Sequence, residues 1–319
     1  MTSALRLENV TKRYGRTTAV DAVSFTAEPG RLFGLLGPNG AGKSSTIRMI
    51  TYITTPDEGT VTLGGEPVGP ASQARMGYLP EERGLYKKMK VGEQLVYLAQ
   101  LKGMTAHDAE RAVRQWLDRF GAAEWYKKPV GDLSKGMQQK VQFVSTVAHD
   151  PELCIFDEPF SGLDPINADI LQETIMELRQ RGKTVVFASH RMEQVERLCD
   201  DLCLISQGQV VLRGTLAEVK ARYGKDTATV EFEGADGWVD RLADAGAVRV
   251  LSRSGGRAEL RLDPATRPND VLGAALADGV EVSQFGLHAP PLTEIFRLAV
   301  DAGESAPDGP APLAEAAAA

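Results

Sequence analysis

Eight consecutive residues, Gly37-Pro38-Asn39-Gly40-Ala41-Gly42-Lys43-Ser44, follow the spacing G-x-x-x-x-G-K-[ST]. That spacing suits a phosphate. Glycines let successive backbone N–H groups curl around the anion, a lysine reaches its terminal oxygens, and a hydroxyl ligates Mg²⁺. Two further stretches place polar residues directly behind apolar runs: Leu153-Cys154-Ile155-Phe156 leads into Asp157-Glu158, and Thr184-Val185-Val186-Phe187-Ala188 leads into Ser189-His190. Taken singly, a glycine-rich turn or an acidic turn explains each. Together they point to phosphate chemistry, because all three follow segments that read as buried strands.

Residues 31–36 read as a short buried strand and 43–52 as a helix whose N-terminal dipole faces an anion. The other two runs suit a parallel sheet covered on both faces. Ligands of open parallel sheets bind beyond the carboxyl ends of the strands, so Lys43, Asp157, Glu158 and His190 are expected at one edge. Further strands are expected at 5–10, 20–27, 60–65 and 76–80, with Tyr14 beside Gly15 in a turn. From 91 to 125 the period becomes helical, with Ala109, Ala112, Val113, Trp116, Leu117 and Phe120 on one face. Ser134 is placed to cap a helix over 136–148, a second potential anion site.

In this order the motifs resemble the nucleotide-binding subunit of an ATP-binding-cassette (ABC) transporter, over residues 4–223. Tyr14 matches the family's adenine-stacking aromatic residue, and 37–45, through Ser45, its Walker A loop. Glu81 stands at the Q-loop position. Residues 133–140, with Ser134 and Gly136, match the signature motif. Asp157 and Glu158 close Walker B, Asp164 lies in the D-loop, and His190 is the switch histidine. The fold implied is an α/β P-loop cassette, a mixed sheet core with a helical subdomain at about 87–148. Two positions depart from the common form. Glu81 replaces glutamine, and the signature reads Ser-Lys-Gly-Met; both variants are similar to those of the sodium- and drug-exporting branch. An ionised Glu81 adds charge and cannot donate a hydrogen bond.

The resemblance implies an ATPase that dimerises around ATP and Mg²⁺, either with a second copy of itself or with a homologous subunit. It implies a separate membrane permease, ABC-2-type and exporting, whose contact is expected at 82–86. Lys43 and the loop residues would hold the phosphates, with Ser44, Asp157 and Glu81 toward Mg²⁺. Glu158 would act as base, His190 would orient water and γ-phosphate, Ser134 and Gly136 would serve the partner's nucleotide, and Asp164 would link the two sites. A soluble cassette acting on ribosomes or DNA, and a non-hydrolysing regulatory module, are the competing readings. The single cassette without long insertions argues against the first, and intact Lys43, Asp157 and Glu158 against the second.

Composition fits these expectations. No apolar run is long enough to span a bilayer and the first residues lack signal-peptide character, so the chain is expected in the cytoplasm, held at the inner face of the membrane by its permease. The net charge is −7, and four of those charges belong to carboxylates beyond residue 300, in a stretch without Lys or Arg. The remaining body is only weakly acidic, and no nucleic-acid partner is expected. The three cysteines suit a reducing compartment; Cys199 and Cys203 fall on one face of an expected helix as packing residues. Beyond 224 the motifs end. Residues 225–302 read β-α-β-β-α-β, a ferredoxin-like order, with a further helix at 292–300 and no cluster of polar residues. The tail, 303–319, is Ala/Pro/Gly-rich and acidic, and is expected to be disordered.

Overall fold

The computed structural model describes residues 4–82, 84–224 and 226–301. Arg83 and the expected tail at 303–319 lie outside them. The chain divides after Arg213 into two compact units.

In the first unit, β1 (Leu5–Tyr14) buries Leu5 and Leu7 and exposes Arg6 and Glu8, and it pairs antiparallel with β2 (Thr17–Ala27). β3 (Leu32–Leu36), buried throughout, leads through the glycine loop into α1 (Lys43–Ile50). β4 (Glu58–Leu63) and β5 (Glu66–Pro67) complete a sheet of order β2-β1-β4-β5. β6 (Met76–Leu79) ends at Pro80, and the chain then enters a helical insertion of α2 (Val91–Leu101), α3 (Ala106–Arg119) and α4 (Lys135–Val147). Thr105 and Ser134 cap α3 and α4 by accepting from Asp108 N–H and Met137 N–H.

The second sheet is built from β7 (Leu153–Asp157), then α5 (Pro165–Gln180), β8 (Thr184–Ser189), α6 (Met192–Leu198), β9 (Asp201–Ser206) and β10 (Gln209–Thr215). Its order is β10-β9-β3-β8-β7-β6, with β9, β3, β8, β7 and β6 parallel. Every residue of β3, β7 and β8 is buried, as strands covered on both faces require. An aromatic column joins the insertion to this sheet. Ring centroids are 6.1 Å apart from Trp116 to Phe120, 5.7 Å from Phe120 to Phe143 and 5.1 Å from Phe143 to Phe156, the residue before Asp157.

The second unit opens with α7 (Leu216–Arg222), held by a capping box between Thr215 and Glu218. β11 (Thr227–Glu233), α8 (Gly237–Asp244), β12 (Val248–Ser254), β13 (Arg257–Leu262), α9 (Pro268–Ala277) and β14 (Glu281–His288) follow. The antiparallel order β12-β13-β11-β14 is the ferredoxin-like arrangement, and its core packs Val230, Leu260 and Val271 around a fully buried Trp238. α10 (Leu292–Asp301) closes the described chain. One expectation fails here, because a polar cluster does exist. Arg249 and Arg261 face each other across β12 and β13, and buried Glu294 accepts from both at 3.2 Å and from Arg297 at 2.7 Å. Like charges directly opposite are unfavourable in a sheet, and the carboxylate offsets them.

Candidate active site

The loop after β3 can be built only with glycine at its two ends. Gly37 has φ +151° and a Cβ there would lie 2.1 Å from the Ile205 carbonyl oxygen. Gly42 has φ +111° and a Cβ 2.4 Å from that of Ala19. α1 begins with no side-chain cap and no acidic residue in its first turn, which leaves its positive end to the loop. Lys43, its first residue, folds back over that loop, its Nζ donating to the carbonyls of Gly37 at 2.6 Å and Pro38 at 3.0 Å. Burial lowers its pKa, and the negative charges of Asp157, Glu158 and Glu81 act the other way.

β7 ends on buried Asp157, whose pKa is pushed up to about 6 by burial, then by Glu81 and Glu158, against the pull of Lys43. Glu158 takes a left-handed backbone, φ +50°, with its N–H donating to Ala188 O at 3.0 Å. This turn sends the carboxylate back to the end of β8. There Oε1 accepts from the His190 backbone N–H at 2.7 Å and lies 2.6 Å from His190 Nδ1, while Oε2 accepts from Ser189 Oγ at 3.1 Å. A proton on Nδ1 makes this contact a hydrogen bond that the carboxylate accepts. Carboxylate and imidazole are thus held as a pair, with Ser189 fixing the second carboxylate oxygen.

A cavity of about 160 Å³ gathers residues 39–45, Glu81, Asp157, Glu158 and His190. Ala19 of β2 also lines it, a contact no motif signals. Gly37 and Pro38 do not line it and act through Lys43. Tyr14 ends β1, half-exposed, with Lys12 Nζ 5.7 Å from its ring centroid. Ser134 and Gly136 stand at the start of α4, and Asp164 caps α5 by accepting from Asn167 N–H. A Cβ on Gly136 would lie 3.8 Å from Gly162 O, so signature and D-loop are neighbours away from their own chain's cavity.

Amide and hydroxyl groups of α4 tie that helix to the sheet edge, and sequence reasoning missed them. Gln139 Nε2 donates to Pro159 O at 3.0 Å and Thr146 Oγ1 to Tyr78 O at 3.3 Å. Ser44, Asp157 and Glu81 bring only oxygen donors to the cavity, a hard set that fits Mg²⁺. Among the described residues no three His, Cys, Asp or Glu side chains converge to hold a metal by themselves. Mg²⁺ bound through one or two carboxylates and phosphate oxygens needs no such cage. The cysteine expectation is corrected: Cys199 caps α6 and Cys203 lies in β9, so they share no helix. Both are buried, and burial pushes the Cys203 thiol to about 12.

Residues 20–161 match the family described as ABC transporter, and 214–300 that described as ATP-binding protein DrrA1-3-like, C-terminal domain. The second match carries family likeness past the last motif. The uncharacterized ABC transporter ATP-binding protein YhaQ of Bacillus subtilis is 48% identical over 229 residues, covering 72% of this chain and 77% of that one. The linearmycin resistance ATP-binding protein LnrL of the same organism is 38% identical, covering 70% and 73%. A solved structure described as the ATP binding subunit of an ABC transporter superposes with a TM-score of 0.66 at 30% identity, covering 76% of this chain and 98% of that one. With a phosphate loop, two carboxylates and an imidazole gathered at the carboxyl ends of three parallel strands, the chain belongs to the ABC transporter ATP-binding proteins and is an ATPase of that family.

Proposed function

We propose that two such subunits close around two ATP molecules and drive an ABC-2-type export permease from the inner face of the cell membrane. The observation that carries this reading is the convergence of Lys43, Asp157, Glu158 and His190, with Glu81, on one cavity. The phosphate-loop amides and Lys43 bind and orient the β- and γ-phosphates; to reach them, Lys43 releases the Gly37 and Pro38 carbonyls. Ser44 and Asp157, with Glu81 nearby, would hold Mg²⁺, which would supply neutralisation of phosphate charge. Glu158 accepts the proton of the attacking water, and His190, paired with it, orients water and γ-phosphate. Ser134 and Gly136 complete the partner's site, so that hydrolysis waits for closure, and Asp164 links the two sites.

The lean to export draws on similarity to a protein named for linearmycin resistance and on the DrrA-like second unit. We read that second unit as a dimerisation or regulatory domain. The permease contact is assigned to 82–86, where Tyr86 is 58% exposed. The test is Glu158→Gln. Turnover is expected to fall by about 10² to 10⁴ with ATP binding retained, since the base is lost and the phosphate cradle is not. Hydrolysis within about twofold of wild type would overturn the assignment of the base.

A further inference from the structure

Glu81 is exposed, and among the described residues its side chain makes no hydrogen bond or ion pair, yet it lines the cavity beside Asp157. Its placement therefore depends on its backbone. The carbonyls of the residues on either side of it are both held by one side chain from another element: Gln142 of α4 donates from Nε2 to Pro80 O at 3.1 Å and to Glu82 O at 3.2 Å. Both hydrogens of the amide are used. Gln142 is 3% exposed, and its Oε1 is buried without a partner among the described residues. Turning the amide over would set that oxygen against two carbonyl oxygens, so the donors fix its orientation. A buried orphan acceptor is unfavourable, and methionine would fill the same space without one. What the amide supplies that methionine lacks is the pair of donors around Glu81.

We infer that Gln142 is a positioning residue for Glu81: it fixes the segment 80–82 to the helix that Ser134 caps, and so sets where the Glu81 carboxylate stands relative to Asp157. The inference rests on the reading that Glu81 acts near Mg²⁺. Gln142 touches neither nucleotide nor metal; it acts through the backbone of its neighbours.

The test measures ATP hydrolysis by the full chain against free Mg²⁺ for wild type, Gln142→Met, Glu81→Ala and the double variant. Gln142→Met is expected to raise the half-saturating Mg²⁺ concentration at least about tenfold, the usual cost of removing a partner that orients a ligand. ATP binding in EDTA should stay unchanged. The double variant should be no worse than Glu81→Ala alone, because both substitutions break one chain of contacts. If Glu81→Ala shifts the Mg²⁺ dependence and Gln142→Met does not, or if the two effects add, the inference is overturned and the Mg²⁺ reading stands. If Glu81→Ala shifts nothing, the Mg²⁺ reading fails instead. Amide hydrogen exchange over 79–86 then decides the positioning role, with faster exchange in Gln142→Met supporting it and unchanged exchange refuting it. Should Gln142→Met fold poorly, Gln142→Leu also removes both donors without burying a charge, and the same readouts apply.

Discussion

His149 is a half-buried group outside the chemistry whose protonation is governed by its surroundings. Its Nε2 donates to Met76 O at 3.1 Å, the same carbonyl that Lys102 Nζ reaches at 3.1 Å, and its Nδ1 is buried without a partner among the described residues. Burial, then the Lys102 ammonium, push its pKa down to about 4; the Met76 hydrogen bond and Asp150 oppose this and Lys183 adds to it. In the unfolded chain the imidazole takes up its proton near 6.5, and in the folded chain only near 4. Its contribution to stability is therefore complete above pH 6.5 and is lost as pH falls toward 4, at roughly 1 kcal/mol per pH unit. Urea unfolding of His149→Gln, which keeps a donor for Met76 and cannot titrate, is expected to show a flatter stability profile than wild type between those limits. Parallel profiles would mean that the imidazole is protonated in the fold as readily as outside it.

Among the elements, α10 is joined to β12 and β13 by charge rather than by sequence pattern. Glu294, 8% exposed at its side chain, serves two arginines that oppose each other across the strands. Replacing it with glutamine removes the charge and is expected to lower the stability of the second unit by about 2 kcal/mol, the half-exposed Arg249 adding little because solvent screens it. Thermal unfolding measures this, and ATP affinity should not change because every cavity residue lies in the first unit. An unchanged midpoint would mean that water serves the guanidiniums equally well. Part of the architecture was legible in the sequence: unbroken apolar runs mark β3, β7 and β8, and a 3.6-residue period marks α3, whereas β9 lies where a helix was expected around Cys203. Most cavity residues were legible because their motifs follow strand ends; Ala19, within β2, was not. Glu294 and Arg249 are 45 residues apart, and Gln142 and Pro80 are 62 apart. Periodicity reports which face of an element is apolar and nothing about which distant carbonyl or guanidinium meets a polar side chain. The same limit hid Ser189, whose hydroxyl reaches a carboxylate delivered by a different strand.

For the whole molecule, Ser134 and Gly136 are absent from their own chain's cavity, which is what a site completed in trans requires. On the proposed trans arrangement, Ser134→Arg and Lys43→Ala are each expected to abolish hydrolysis, the first by setting a bulky cation where the partner's γ-phosphate would bind and the second by removing the proposed phosphate ligand. Mixed in equal amounts they should recover at most about a quarter of wild-type turnover, since half the dimers of random pairing are mixed and each carries one intact composite site. No recovery in a preparation shown to contain mixed dimers would refute the trans arrangement. The column from Trp116 through Phe120 and Phe143 to Phe156 has an optical consequence. Indole absorbs and emits at longer wavelengths than phenylalanine, so red-edge excitation addresses Trp116, Trp125 and Trp238 without the two phenylalanine rings between Trp116 and Phe156, in the strand that ends on Asp157. With Trp125 and Trp238 replaced by phenylalanine, the remaining emission comes from the outer end of that stack, and its colour and yield give the ATPase a native gauge of how its helical insertion sits on the catalytic sheet.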